Sequence, residues 1–84
     1  SMLNNGYPGY GKANCQGCDQ AKALLESKGL GYEYVDVMKT PSAQTLFREK
    51  GFRSVPQIFF NGQHISSGAE GLSLWLHSLE GHGS

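Results

Sequence analysis

The spacing of apolar residues changes along the chain, and each change marks a new element. Between Cys15 and Lys28, Cys18, Ala21, Leu24 and Leu25 recur at helical intervals, with Asp19, Gln20, Lys22 and Glu26 on the other sides. Asn14 is a candidate N-cap for this helix, and Gly29 stands where its C-terminus would turn left-handed. Tyr32-Glu33-Tyr34-Val35-Asp36-Val37 carries the aromatic and β-branched residues of a strand. Thr40 and Pro41 then open a second helix as N-cap and first helical residue. Ala43, Leu46 and Phe47 make its buried stripe, and Gly51 ends it. Gln57-Ile58-Phe59-Phe60 and Gln63-His64-Ile65 are strands joined by the two-residue turn Asn61-Gly62, hence antiparallel. Ser67 can cap a third helix, whose apolar face is Leu72, Trp75, Leu76 and Leu79.

The N-terminal stretch fits this pattern poorly. Leu3-Asn4-Asn5-Gly6-Tyr7-Pro8-Gly9-Tyr10-Gly11 is rich in turn formers, so a strand over residues 3–9 would be short and weak. With it, the order is (β)-α-β-α-β-β-α. A right-handed β-α-β unit followed by a hairpin and a closing helix gives an α/β domain, a mixed sheet with helices on both faces. That topology sets the top of the first helix beside the loop Ser54-Val55-Pro56, where proline opens a strand whose ladder does not need its missing N–H.

Eighty-four residues make one domain, taken as 3–80. Ser1 before Met2 reads as a cloning scar, and Gly81-His82-Gly83-Ser84 as another remnant. Formal net charge is zero with no basic or acidic run, so nothing in the charge argues for nucleic acid or an anionic membrane. No apolar stretch has spanning length, and the first residues hold no signal-peptide core. Two cysteines are too few for a disulfide-stapled secreted scaffold and fit a reducing cytoplasm.

Those two cysteines form Cys15-Gln16-Gly17-Cys18, where a loop becomes a helix. Thiols at this spacing can close into a disulfide and reopen. The unpaired N–H groups of a helix start favour negative charge, and Lys12 lies three residues before Cys15; both ease ionisation to the thiolate. Zinc would need two further ligands, and His64, His77 and His82 stand at spacings unlike any zinc finger.

In its ordered pieces the chain resembles the glutaredoxin family of the thioredoxin fold. Tyr10-Gly11-Lys12-Ala13-Asn14-Cys15-Gln16-Gly17-Cys18 is similar to the family's active-site segment. Ala21-Lys22-Ala23-Leu24-Leu25 with Gly29 is similar to its first helix, and Ser54-Val55-Pro56-Gln57-Ile58-Phe59 to its Thr-Val-Pro-Gln-Ile-Phe loop, where the proline is cis. Asn61-Gly62-Gln63-His64-Ile65 is similar to the hairpin that follows. The resemblance implies a thioredoxin-like mixed β-sheet flanked by three helices, with an atypical first strand. It implies a glutathione-dependent oxidoreductase acting on protein disulfides and glutathione mixed disulfides, with Cys15 as nucleophile and Cys18 as resolving thiol.

By the same resemblance, glutathione is the co-substrate. Ser54, Val55 and Pro56 would pair with its peptide backbone. Lys12 and, more weakly, Gln44 would meet a carboxylate. The helix start Ser67-Gly68-Ala69-Glu70 would hold the γ-glutamyl end. Departures are Gln16-Gly17 where Pro-Tyr is usual, Ser66-Ser67 in place of paired glycines, and Ala69-Glu70 in place of an acidic pair. Since glutaredoxins lacking that proline can hold a [2Fe–2S] cluster between two subunits, one alternative is a cluster carrier or sensor with Cys15 as ligand. Another is a redoxin reduced by thioredoxin reductase. The expected state is a monomer, with a dimer arising through a cluster or by strand exchange.

Overall fold

A computed structural model describes residues 8–12 and 14–82. The chain runs β1 (Pro8–Gly11), α1 (Gln16–Ser27), β2 (Glu33–Asp36), α2 (Pro41–Lys50), β3 (Gln57–Phe60), β4 (Gln63–Ser67) and α3 (Ala69–His82). The sheet order is β2-β1-β3-β4. β1 is parallel to β2 and antiparallel to β3, and β3–β4 is the expected hairpin. The mixed sheet with helices on both faces is therefore as the sequence predicts. No helix among the described residues is long and apolar enough to cross a membrane.

The two faces separate along β3, where successive side chains point in opposite directions. Ile58 joins Ala21 and Leu25 of α1, Tyr32, and Leu72 and Leu76 of α3 in one buried cluster. Phe59 points the other way and meets Phe52, which meets Phe47 of α2. Trp75 packs against Phe60 from α3, half-buried, while Leu79 of the expected apolar stripe is left exposed.

The first strand reaches two residues beyond the expected 3–9. It spans Pro8–Gly11, and it is central; residues 3–7 of the expected strand lie outside the described residues. The chain's own β1 fills the position that strand exchange would otherwise have to supply. Pro8 is tolerated as the opening residue of a strand, where its missing N–H costs least. Gly11 is required for a different reason. A Cβ there would sit 2.6 Å from Cys18 Sγ and 2.9 Å from Cε1 and Oη of Tyr34, so only a bare backbone lets these two side chains approach.

The ends of the elements bring other corrections. Asn14 is not the N-cap of α1: it adopts a left-handed φ of 58° and stands one residue too early. Cys15 caps instead, its sulfur accepting the N–H of Cys18 at 3.1 Å. Gly29 closes α1 as expected, with its N–H on Glu26 O and the N–H of Leu30 on Leu25 O. Thr40 and Pro41 open α2 in their expected roles, although the Thr40 side chain makes no capping bond. Ser67 does not cap α3. β4 runs on through it, because its hydroxyl donates to Gln57 Oε1 at 2.8 Å, and the helix starts after Gly68. α3 then continues to His82, inside the segment set aside as a remnant.

Candidate functional site

Cys15 and Cys18 are joined as a disulfide, with Cα atoms 5.1 Å apart across the first turn of α1. The cap position accounts for their difference. Cys15 has extended backbone at the helix end, while Cys18 lies one turn in, against Gly11. Cys15 is 8% exposed and Cys18 2%, so the first sulfur is more enclosed than its place in a loop suggests. It is reached from a cleft of about 510 Å³.

That cleft is assembled from separate parts of the chain. Lys12 and Cys15 come from the β1–α1 loop, Val37 and Met38 from the end of β2, Phe47 from α2, and Phe52 to Val55 from the loop before β3. Lys12 and Arg53 are both exposed and place two cations on it. Met38, 68% exposed, and the ring of Phe52 supply apolar surface.

The loop Ser54-Val55-Pro56 is held from behind. Val55–Pro56 is a cis peptide bond. The Pro56 carbonyl accepts the N–H of Gly68 at 2.9 Å, tying the loop to the start of α3. Gln57, 2% exposed, donates from Nε2 to Ser54 O at 2.9 Å, and its Oε1 accepts from Ser67 Oγ and pairs with His64 Nε2 at 2.7 Å. His64 in turn stacks at 5.0 Å on Phe52, a wall of the cleft. A buried amide is stable only when its donor and acceptor are used, and here both are. Among the described residues no backbone hydrogen bond engages the N–H or C=O of Val55.

The structure therefore brings Lys12, Cys15, Ser54 and Val55 together around one space, with Pro56 buried behind them against Gly17. The remaining expected ligand residues lie elsewhere. Gln44 Nε2 donates to the Met38 carbonyl at 3.3 Å and steadies the loop between β2 and α2. Ser67, Gly68, Ala69 and Glu70 are at the β4–α3 junction and do not line the cleft. Val37, Met38, Phe47, Phe52 and Arg53 also line the cleft and are not among the site residues expected from the sequence. Arg53 had one signal: a lone cation directly before Ser54-Val55-Pro56. Among the described residues no three His, Cys, Asp or Glu side chains gather as a metal site.

The glutaredoxin family model matches residues 10–65. Glutaredoxin 3 of Escherichia coli (strain K12) is 37% identical over 57 residues, covering 67% of this chain and 69% of the relative. The glutaredoxin-like protein NrdH of Salmonella typhimurium is 37% identical over 49 residues, covering 58% of this chain and 60% of that one. Among solved structures, a buckwheat glutaredoxin–glutathione complex superposes with a TM-score of 0.73 at 23% identity, over 88% of this chain and 70% of that one. The NrdH-redoxin of Escherichia coli gives a TM-score of 0.69 at 27% identity, over 75% of this chain and 82% of that one.

Proposed function

The chain belongs to the glutaredoxin family, with its thioredoxin-like fold and dithiol Cys15/Cys18 pair, and we propose that glutathione is the thiol that drives its disulfide chemistry. The observation that carries this reading is the cleft. It presents Cys15, two cations and the unengaged backbone of Val55 around a volume of about 510 Å³, room for a tripeptide. A cysteinyl residue laid along Val55 would exchange strand-like hydrogen bonds with it. Lys12 and Arg53 would attract its terminal carboxylate, and Phe52 and Met38 would cover its apolar surface.

The chemistry then follows from the helix start. In the reduced pair, the Cys15 thiolate accepts the N–H of Cys18 and faces the positive end of α1. It attacks the glutathione sulfur of a mixed disulfide, the substrate thiolate leaves, and glutathione stays on Cys15. A second glutathione thiolate attacks that sulfur and frees Cys15 as oxidised glutathione departs. With a protein disulfide, Cys18 attacks Cys15 instead, expels the substrate and closes the pair.

A coupled assay with a glutathione mixed disulfide tests this. Cys15→Ser should lose all turnover, and Cys18→Ser should keep most of it while losing reduction of protein disulfides. Persistent activity in Cys15→Ser would refute the assignment.

A second reading has support of its own. At the β4–α3 junction the Ser67 hydroxyl is committed to Gln57 and the Gly68 N–H to Pro56, so neither is open to a γ-glutamyl group. The likeness to NrdH points the same way. Reduction of the pair by thioredoxin reductase in the absence of glutathione would favour this reading over the first.

A further inference from the structure

Tyr34 lies beside the sulfur of Cys18, and the exchange steps above give it no part. In the parallel register Gly9 pairs with Tyr34 and Gly11 with Asp36. Neither glycine projects a side chain, so the Tyr34 ring can lie across β1 beneath α1. A point one Cβ away from Gly11 is 2.6 Å from Cys18 Sγ and 2.9 Å from Tyr34 Oη, so sulfur and phenol oxygen share one small space. Lys22, one turn beyond Cys18 on α1, places Nζ over the ring, 3.9 Å from its centroid. The hydroxyl makes no hydrogen bond to another described residue. Burial, then the charges of Asp36 and Asp19, push the phenol above its ordinary value, so it keeps its proton near neutral pH.

We infer that Tyr34 acts in the dithiol half of the reaction, its phenol O–H donating a hydrogen bond to Cys18 Sγ whenever that sulfur carries negative charge. The step is the same whichever thiol reduces the pair, so it stands apart from the question of glutathione. When a reductant thiolate attacks Cys15 Sγ, a new S–S bond forms there and the Cys15–Cys18 bond breaks. The electron pair leaves on Cys18 as a thiolate, beside a waiting donor. In the opposite direction Cys18 must lose its proton to solvent before it attacks Cys15 and expels the substrate thiolate. A donor that favours the thiolate raises the fraction ready to attack more than it lowers nucleophilicity. The charges facing this space are Lys22, which assists, and Asp19 and Asp36, which oppose; a neutral donor in contact offsets the last two. A hydrogen bond to a charged sulfur is worth a factor of about ten or more in the ionisation of that sulfur.

Tyr34→Phe removes the hydroxyl and keeps the ring. In the reduction of a protein disulfide, the rate at which Cys18 displaces the substrate thiolate from Cys15 should fall about threefold, the loss of thiolate outweighing the gain in nucleophilicity. In a Cys15→Ser protein, thiolate absorbance should show the Cys18 pKa raised by about one unit by the same change. In a Cys18→Ser protein, the Cys15 pKa should stay where it is. The inference is overturned if neither that rate nor the Cys18 pKa moves. It is equally overturned if the Cys15 pKa moves as far as that of Cys18, because the ring would then be acting through the fold and not on one sulfur.

Discussion

β1 and β3 lie side by side at the centre of one sheet and hold their places by opposite means. β3 is Gln-Ile-Phe-Phe, and its side chains anchor both faces: Ile58 in the cluster with α1 and α3, Phe59 among the rings next to α2. β1 is Pro-Gly-Tyr-Gly, and Gly11 contributes by having no side chain. The space a Cβ would take there is occupied by Cys18 and Tyr34. Apolar burial is spread over many contacts and tolerates approximation, whereas a position where an added Cβ would meet a sulfur at 2.6 Å does not. Cys18 packs against the second kind of strand. The Cys18 sulfur is placed by a neighbour that is missing.

Removing atoms from β3 and adding one to β1 should both be costly, and this pair of changes has the largest expected effect. Ile58→Ala, at a position 2% exposed, should lose about 2–5 kcal/mol of stability. Gly11→Ala adds a single carbon and should cost about 3 kcal/mol, because Cys18, Tyr34 or the strand must give way. The two should differ in what else they damage. Ile58→Ala leaves the redox equilibrium of the folded protein near that of the parent. Gly11→Ala shifts it, since the sulfur that moves is part of the pair. Urea melts and redox titration read both quantities. Equal stability of Gly11→Ala and the parent would remove the contrast between the strands.

The same contrast decides what the sequence made legible. α1, α2, the hairpin and α3 follow from residues that are present: apolar stripes, Thr40-Pro41, Asn61-Gly62. So do Lys12, Cys15, Ser54 and Val55 in the cleft, which are contiguous with recognisable motifs. β1 escaped because no propensity scale credits a glycine for the neighbour it admits. Cys15 as N-cap escaped because a thiol is not among the usual capping groups. Ser67 looked like a cap because serine usually is one, and its real partner, Gln57, is ten residues away in sequence. Arg53, Met38 and Phe52 stand where the chain leaves regular elements, so no periodicity marks them as neighbours of one another.

Farther along α1 the packing becomes conventional, and a smaller effect is expected. Tyr32, 7% exposed, donates its hydroxyl to Glu26 Oε2 at 2.7 Å. Burial first, then the hydrogen bond and charge of Glu26, push this phenol up to about 12 from 10.0. A phenol that holds its proton more tightly when folded stabilises the fold fully below pH 10.0. That contribution is lost as pH rises from there through about 12. Tyr34 shifts in the same direction. Tyr32→Phe should therefore cost about 1 kcal/mol at pH 8 and should also flatten the alkaline fall in stability, leaving the part due to Tyr34. Melts at pH 8 and pH 11 separate the two effects; an undiminished alkaline fall would mean that Tyr32 does not carry it.

The mildest test uses a second glycine that faces a side chain, now on the hairpin side of the sheet. A Cβ on Gly71, in the first turn of α3, would lie 3.1 Å from Ser66 Cβ, against 2.6 Å for the nearest atom at Gly11. A few tenths of an ångström of relaxation remove this contact, whereas Gly11 needs far more. Alanine is also favoured over glycine inside a helix by about 1 kcal/mol. The two terms oppose, so Gly71→Ala alone should be nearly neutral. Ser66→Gly removes the obstacle, and Gly71→Ala placed on that background should then recover most of the helix gain, close to 1 kcal/mol. The cycle of four proteins, read by urea melts, isolates the contact. If Gly71→Ala stabilises both backgrounds equally, α3 yields freely at this distance, and an enforced glycine is a property of the strand beneath Cys18 alone.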